Sequence, residues 1–351
     1  MHNKSFKKYI ALPLIIIMIF SITVCTSSVQ AASISPLASW ADNSPNKQKI
    51  ISFVEAVTDK NSKDFVPVED RIATFDMDGT IACEEPQWLG LDVAEYKILN
   101  DPNLKGNTSL ISEINRLNFD LTQFPGPSEI GQLITDLTDQ AFSGMSQEKF
   151  VQYMQDFMNT AKPDFVGLTY KDSFYKPMVE LINYLVDNDF QVYIVSGSER
   201  GVIWGACKDV LPLPRSHEIG ASVTMEATQE ADIGDSNYMF RQTDDLIRFP
   251  GTSQQCLKMW KVYNIYNQIG EKPILAFGNT DGDFSMLNYA KSNSKYKNLA
   301  FLLCHDDNAR EYSYNTQQQP YWNAAAKDNG WNVVSMLSEF KQVFMKDTKK
   351  K

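Results

Sequence analysis

Cysteine is scarce in this chain, with five among 351 residues. The four that follow Cys25 are widely separated: Cys83, Cys207, Cys256 and Cys304. There is no CxxC pair and no Cys/His cluster, which excludes the common zinc-binding patterns. Two interpretations of these cysteines stay open. They could form the disulfide bonds of an exported protein, or they could be buried thiols that pack as small apolar side chains.

Positively charged residues are also fewer than negatively charged ones. Lys and Arg number 33 against 43 Asp and Glu, and the formal net charge is −10. Nucleic-acid-binding domains usually present a basic face, so we expect no nucleic-acid partner. Internal repeats of solenoid length are absent. No apolar run long enough to span a membrane follows residue 31, so the remainder is predicted to have a globular core and no transmembrane segment.

The amino terminus has the pattern of a secretory signal peptide. Three lysines among the first eight residues precede an apolar stretch over residues 10–24, and the small residues of SVQAAS follow. This order predicts cleavage after Ala31 and a secreted, cell-surface or periplasmic protein with a net charge of about −13. An uncleaved anchor is disfavoured because a span needs about 20 apolar residues. A lipid-bearing Cys25 is disfavoured because the bulky Val24 precedes it.

Apolar strands that alternate with amphipathic helices predict the fold class. Buried strands are expected in IATF, FQVYIVSGS, KPILAFG and NLAFLLC, with helices such as FYKPMVELINYLVDN between them. This alternation predicts an α/β, Rossmann-like, three-layer core with a central parallel sheet. Residues 32–82 and 174–351 are assigned to the core, and the polar and aromatic residues 83–173 to an inserted, mainly helical cap. A hairpin of EIGASVTME with YMFRQTDD, a helix over TSQQCLKMWKVYNIYNQI and a final helix near VVSMLSEFKQVF are also predicted.

Three of the predicted strands end in polar residues. The first is followed by DMDGT, the second ends in VSGS and the third in GNTDGD. Ligands of open α/β sheets bind at the carboxyl ends of the strands. Asp76 and Asp78 would repel each other there unless a cation or a shared proton relieved them, and Mg²⁺ prefers oxygen ligands. Each segment taken singly also fits an ordinary turn, with Ser198 as a helix cap in the second.

Taken together, the three segments resemble the motifs of the haloacid dehalogenase-like phosphohydrolase superfamily, over roughly residues 70 to 305. FDMDGT is similar to the first motif, YIVSGS to the second and FGNTDGDFSML to the fourth, in the family's order. Lys258, in QQCLKMW, is the match for the weakly defined third-motif lysine. The insertion after the first motif resembles the helical cap of the phosphoserine-phosphatase-like branch.

The resemblance implies a role for each matched residue. Asp76 would be the nucleophile that attacks phosphorus, and Asp78 the general acid and base. The implied cofactor is Mg²⁺, and the implied partner is a small phosphorylated substrate. The groups that would hold the phosphoryl oxygens are Thr80, Ser196, Gly197 and Lys258. The groups that would hold Mg²⁺ are Asp76, Asp78 through its backbone carbonyl, Asn279 and Asp283.

Asn279 departs from the family, which most often has Asp at that position. Asn supplies an oxygen without a charge, so the resemblance implies weaker Mg²⁺ binding, with Asp283 or Asp281 supplying more of the charge. Dehalogenation is disfavoured because a halide leaving group needs no acid at Asp78.

The cap region is expected to select the substrate. It is rich in aromatic residues, which resembles phosphorylcholine phosphatases, where aromatic and acidic groups could enclose a quaternary ammonium. The simpler alternative is that these aromatics form the cap's own core. The specificity candidates are Glu84, Glu85, Trp88 and Arg200. The predicted activity is an exported, Mg²⁺-dependent phosphomonoesterase on a phosphorylcholine- or phosphoserine-like metabolite. Its alternatives are a non-catalytic surface ligand-binding protein on the same fold and a phosphotransferase.

Overall fold

The computed structural model describes residues 36–121, 130–230, 237–314 and 316–351. The predicted signal peptide and Cys25 lie outside these residues. The strands are β1 Ile72–Phe75, β2 Gln191–Glu199, β3 Glu218–Ala227, β4 Leu246–Gln254, β5 Leu275–Gly278, β6 Leu299–Cys304 and β7 Asn332–Ser335. They form one sheet in the order β4-β3-β2-β1-β5-β6-β7. All neighbours are parallel except β3 and β4, so the predicted α/β core with a central parallel sheet is confirmed.

Helices flank both faces of this sheet. The helices in the described residues are α1 Pro45–Thr58, α2 Leu89–Asn100, α3 Thr108–Leu121, α4 Ile130–Phe142, α5 Gln147–Met158, α6 Lys176–Asp187, α7 Arg200–Cys207, α8 Met259–Gln268, α9 Phe284–Lys291, α10 Gln319–Asn329 and α11 Met336–Glu339. Alternate strand residues point to opposite faces, and each face packs in its own apolar cluster, one with α1, α6 and α7 and the other with α8, α9 and α10. The predicted three layers follow from this packing.

Strand β1 lies at the centre of the sheet, between β2 and β5. All four of its residues are buried. Phe75 stacks on Phe277 of β5 at 5.1 Å between ring centroids, and Phe277 stacks on Phe301 of β6 at 4.4 Å. These contacts fix the three strands side by side. The polar segment DMDGT therefore follows directly after a fully buried strand that is held on both sides.

Helices α2–α5 lie between β1 and β2, where the helical insertion over residues 83–173 is predicted. Residues Pro36–Lys351 form one compact unit, so the boundary between core and cap stays a prediction. The four cysteines in the described part of the chain are free, and three of them are buried, as the thiol interpretation expects. No helix within the described residues is long and apolar enough to cross a membrane.

The sequence-based prediction was wrong for several elements toward the carboxyl end. The partner of β3 is Leu246–Gln254 rather than residues 238–245, and α8 starts at Met259 rather than at residue 252. Strand β4 has one buried residue, Arg248, and contains Pro250 and Gly251, so it shows no apolar alternation. Residues 333–335 of the predicted final helix belong instead to the edge strand β7. The start of α8 determines which lysine reaches the site.

Candidate active site

The side chain of Asp76 extends from the end of β1 into a buried ion pair. Its Oδ1 accepts a hydrogen bond from Lys261 Nζ at 2.5 Å. The same ammonium lies 2.8 Å from Asp283 Oδ1 and donates to the Val195 carbonyl at 2.5 Å. Burial raises the pKa of Asp76 and the repulsion by Asp283 adds to the rise, while Lys261 opposes it. Burial alone would lower the pKa of Lys261, but the two carboxylates raise it, so this lysine is a fixed cation.

Lys261 occupies the position that the sequence assigned to Lys258. The side chain of Lys258 is 66% exposed and pairs with Asp281 at 3.7 Å, whereas that of Lys261 is fully buried. The reason is the start of α8: Lys258 precedes the helix with a φ of 54°, and Lys261 lies in its first turn. Asp281, one of the two acids expected to compensate for Asn279, is 54% exposed, which leaves Asp283.

Asp78 faces the second strand end. Its Oδ2 accepts a hydrogen bond from Ser198 Oγ at 2.5 Å, and Ser198 N donates to Ser196 Oγ at 3.1 Å. Burial raises the pKa of Asp78, and hydrogen bonds from Ser198 and Ser196 moderate the rise. Strand β2 continues to Glu199, whose side chain caps α7 by accepting from Gly201 N. Ser198 is therefore a partner of Asp78 and not the helix cap.

The loop after β5 brings an amide oxygen and a carboxylate to the site. Asp283 Oδ2 accepts from the backbone N–H groups of Asn279 and Thr280 at 2.9 and 3.1 Å. This carboxylate therefore holds the loop in shape while its other oxygen binds Lys261. The Thr80 hydroxyl lies 3.4 Å from both Asp76 Oδ2 and Asn279 Oδ1, so both oxygens border this hydroxyl.

These donors suit a hard divalent cation. Asp76 Oδ2 and Asn279 Oδ1 are oxygens at the ends of adjacent strands, and Asp78 follows Asp76 by two residues. Oxygen donors of this kind are what Mg²⁺ takes, usually together with water and substrate phosphate. No cluster of three or more His, Cys, Asp or Glu side chains arranged for a metal occurs in the described ranges. A cation here would therefore depend on the amide oxygen of Asn279 and on backbone or substrate oxygens.

Glu84 is buried next to this oxygen pair. Its Oε1 accepts from Asn279 Nδ2 at 2.9 Å and from the Tyr314 hydroxyl at 2.6 Å, and its Oε2 accepts from Trp88 Nε1 at 3.0 Å. Burial raises the pKa of Glu84 to about 7, against the hydrogen bond from Tyr314. The specificity candidates Glu84 and Trp88 thus contact each other. Tyr314 follows no sequence motif, and the sequence offered no signal for it.

A pocket of about 350 Å³ opens over the strand ends. Its lining includes Gly197 and Ser196 of the second strand end. None of its lining residues in the described chain is basic, and seven are acidic: Asp76, Asp78, Glu84, Glu85, Asp139, Glu199 and Asp283. Lys261 pairs with Asp76 and Asp283, and Arg248 lies against Glu199 and Asp139. Asp78, Glu84 and Glu85 are the acids of the lining that have no ion pair with Lys or Arg among the described residues.

Arg200, the fourth specificity candidate, does not line the pocket; its Nη2 donates to Gln268 at 2.7 Å. The arginine behind the pocket wall is Arg248 of β4. Its guanidinium makes two 2.7 Å bonds to Glu199 and donates to Gln147 at 3.0 Å. It also lies 3.8 Å from Asp139. Arg248 therefore ties the helical insertion to the ends of β2 and β4.

A buried histidine supports the turn after Asp78. His305 Nε2 lies 2.7 Å from the Gly79 carbonyl and Nδ1 lies 3.2 Å from Glu311 Oε2. Both neighbours are acceptors, so the ring donates from both nitrogens as an imidazolium. Burial would lower the pKa of His305, but Glu311 outweighs it and the net shift is upward. Gly79 itself has a φ of 71°, a conformation that favours glycine.

The fold resembles that of a solved structure at low sequence identity, and two further structures match with lower scores. A conserved protein of unknown function from Anaerococcus prevotii DSM 20548 matches with a TM-score of 0.51 at 14% identity, over 83% of this chain and 91% of that chain. Cytosolic 5'-nucleotidase IIIB bound to cytidine matches at 0.47 and 10%, over 84% and 86%. A phosphoserine phosphohydrolase-like protein from Francisella tularensis subsp. tularensis SCHU S4 matches at 0.41 and 12%, over 75% and 94%.

No protein-family model and no curated protein sequence matches the chain. The structural likeness therefore concerns the fold. The strand order places the three sequence motifs at adjacent strand ends, and the resemblance of those motifs to the haloacid dehalogenase-like superfamily stays a prediction.

Proposed function

We propose that this protein is a Mg²⁺-dependent phosphomonoesterase that works through an aspartyl-phosphate on Asp76. The observation that carries the proposal is the buried contact of Asp76 with Lys261, beside a second acid, Asp78, at the end of the central strand. A nucleophilic carboxylate next to a fixed cation and a protonatable neighbour is the arrangement that phosphoryl transfer needs, since its catalysis is mostly positioning and charge neutralisation.

The reaction uses the two aspartates in turn. A carboxylate oxygen of Asp76 attacks phosphorus, and the bond from phosphorus to the leaving alcohol breaks. Asp78 gives its proton to the departing oxygen, a role that its raised pKa favours. Asp78 then takes a proton from water, whose oxygen attacks the phosphorus and breaks its bond to the Asp76 carboxylate. Inorganic phosphate leaves, and both side chains return to their starting states.

The phosphoryl oxygens would meet donors from the strand ends. The proposed donors are the hydroxyls of Thr80 and Ser196 and the backbone N–H of Gly197. Ser196 and Gly197 line the pocket, and the Thr80 hydroxyl lies 3.4 Å from Asp76 Oδ2. Mg²⁺ would be held by oxygens of Asp76, Asn279 and the Asp78 backbone, with Asp283 balancing charge through Lys261. When bound, it would offset the charge of the phosphate and lower its repulsion by the carboxylates.

The acidic lining supports a substrate whose alcohol part carries an ammonium group, such as a phosphorylcholine- or phosphoserine-like metabolite. Glu85 is half-buried in the pocket wall and Trp88 presents an aromatic side chain beside it. An ammonium group is attracted both by carboxylates and by the face of an indole ring. We expect phosphorylcholine or phosphoserine to be hydrolysed with a higher kcat/KM than a neutral alkyl phosphate of similar size.

Asp76→Asn tests the reaction. Asn keeps an oxygen for Lys261 but cannot form the acyl phosphate, so turnover of a generic phosphomonoester with added Mg²⁺ should fall on the order of 10³-fold or more. Retained turnover in a variant that shows the parent's thermal unfolding would refute the mechanism. Addition of an acceptor alcohol to the parent enzyme distinguishes a phosphotransferase, because a new phosphoester would then form.

The proposed location is outside the cytoplasm, after cleavage behind Ala31. The support is the order of lysines, apolar stretch and small residues at the amino terminus. An exported phosphatase would act on small phosphoesters before or during their uptake, and it would not need a nucleic-acid partner.

A further inference from the structure

The amide of Asn279 has one orientation, and Glu84 sets it. Asn279 Nδ2 donates to Glu84 Oε1 at 2.9 Å. The other Glu84 oxygen receives Trp88 Nε1 at 3.0 Å. An indole N–H and an amide NH₂ can only donate, so both carboxylate oxygens act as acceptors. Asn279 Oδ1 is therefore directed away from Glu84, toward Thr80 at 3.4 Å and the Asp76 carboxylate beyond it.

Gly79 makes this contact possible. A Cβ at position 79 would lie 1.9 Å from Asn279 Nδ2 and 2.4 Å from Glu84 Oε1, which no real side chain tolerates. The pair therefore closes over the bare backbone of the turn that follows the two catalytic acids. Both members are buried, with Asn279 2% and Glu84 7% exposed, so water does not compete for the hydrogen bond.

We propose that Glu84 is a positioning residue for the cation site: it turns the Asn279 amide oxygen toward Asp76 and supplies, one hydrogen bond away, the negative charge that Asn279 lacks. This inference rests on the proposed Mg²⁺ site. It explains how the neutral Asn279 can act as a ligand of the cation, because the negative charge lies on the neighbouring side chain of Glu84 instead. Groups that orient a metal's ligands typically alter its affinity by about 10–100-fold when they are changed.

Glu84→Gln tests the orientation. Trp88 Nε1 needs an acceptor, so the Gln oxygen faces it and the Gln NH₂ faces Asn279. The Asn279 amide must then turn, which presents its NH₂ to the cation. We expect the Kd for Mg²⁺ alone, measured by calorimetry, to rise at least about tenfold. Glu85→Gln is the matched control: it removes the same charge one residue on, without a hydrogen bond to Asn279, and should change the Kd by less than about fivefold.

The exchanged pair provides the decisive variant. Asn279→Asp places a second carboxylate against Glu84 Oε1, where the amide now donates at 2.9 Å, and should lower the unfolding temperature without Mg²⁺. In the double variant Glu84→Gln with Asn279→Asp, the Gln NH₂ donates to the new carboxylate and the Gln oxygen accepts from Trp88. More than half of the lost unfolding temperature should return, and the Mg²⁺ Kd should be lower than in Glu84→Gln alone.

Two outcomes would overturn the inference. One is a Glu84→Gln variant with the parent's Mg²⁺ affinity, and the other is a double variant whose losses are the sum of the single ones. Either could occur in an enzyme that hydrolyses phosphomonoesters through Asp76, so the inference can fail while the proposed function stands. A parent protein that binds no Mg²⁺ would refute both.

Discussion

At the scale of single residues, Lys261 is the cation around which the site is arranged. It is buried against Asp76 and Asp283, whereas Lys258 is an exposed partner of Asp281. Lys261→Met leaves two buried carboxylates facing each other and should cost about 3–5 kcal/mol of stability, with loss of phosphatase turnover.

Lys258→Ala is the matched control for this prediction. An exposed pair contributes about 0–1 kcal/mol, so its unfolding temperature and turnover should stay near those of the parent. Thermal unfolding and hydrolysis of a generic phosphomonoester measure both effects. A result in which Lys258→Ala is inactive and Lys261→Met active would reverse the assignment of the two lysines.

His305 gives the fold a pH dependence. Its pKa in the folded protein lies above that of the unfolded chain because of Glu311. A raised folded pKa contributes stability that is fully present below the unfolded pKa of about 6.5 and is lost as the pH rises through the folded value. The unfolding temperature of the parent should therefore exceed that of His305→Gln most at about pH 5–6, by a margin that narrows toward alkaline pH. A margin that widens with pH would contradict the imidazolium.

The sequence predicts which residues lie at the strand ends better than it predicts which side chains from other segments contact them. Asp76, Asp78, Ser196 and Asn279 could be placed together because each follows a buried strand, and parallel strands end at one edge of the sheet. Lys261 could not, because Lys258 fits the weak motif equally well and no side-chain cap marks the start of α8. Glu84's partner Tyr314 comes from a segment 230 positions away, a distance that no local pattern spans.

At the scale of elements, Arg248 joins β4 to the helical insertion. It contacts Glu199 at the end of β2, Gln147 of α5 and Asp139 of α4. It also lies over the Phe150 ring, 3.8 Å from the centroid. Arg248→Ala would leave Glu199 and Asp139 buried without their cation, at a cost of about 3–5 kcal/mol. Chemical denaturation measures this loss.

Arg241→Ala serves as the control for Arg248. This arginine is exposed and donates to Gln229, so its removal should change stability by less than about 0.5 kcal/mol. Equal effects of the two substitutions would mean that the Arg248 cluster does not connect the elements. The sequence could not predict this link, because β4 is an exposed edge strand whose Pro250 and Gly251 suggest a loop.

At the scale of the whole molecule, the predicted export decides the form in which the protein acts. We expect protein recovered from outside the producing cell to begin at Ala32, because the cleavage pattern ends at Ala31. Amino-terminal sequencing and intact mass measure this directly. A recovered protein that still begins at Met1 would indicate an uncleaved anchor, and a lipid on Cys25 would indicate a lipoprotein.

Because β1 lies between β2 and β5, the groups proposed for catalysis and the residues of the outer pocket wall come from different parts of the fold. The groups proposed to react lie at the ends of the three middle strands, and the stacked rings of Phe75, Phe277 and Phe301 hold β1 and β5 in place beside β6. The outer wall of the pocket comes from the helical insertion and from β3, through residues such as Thr138 and Val223. A library of variants with substitutions only in that wall should therefore change which phosphoesters are accepted, while the residues at the ends of β1, β2 and β5 stay unchanged.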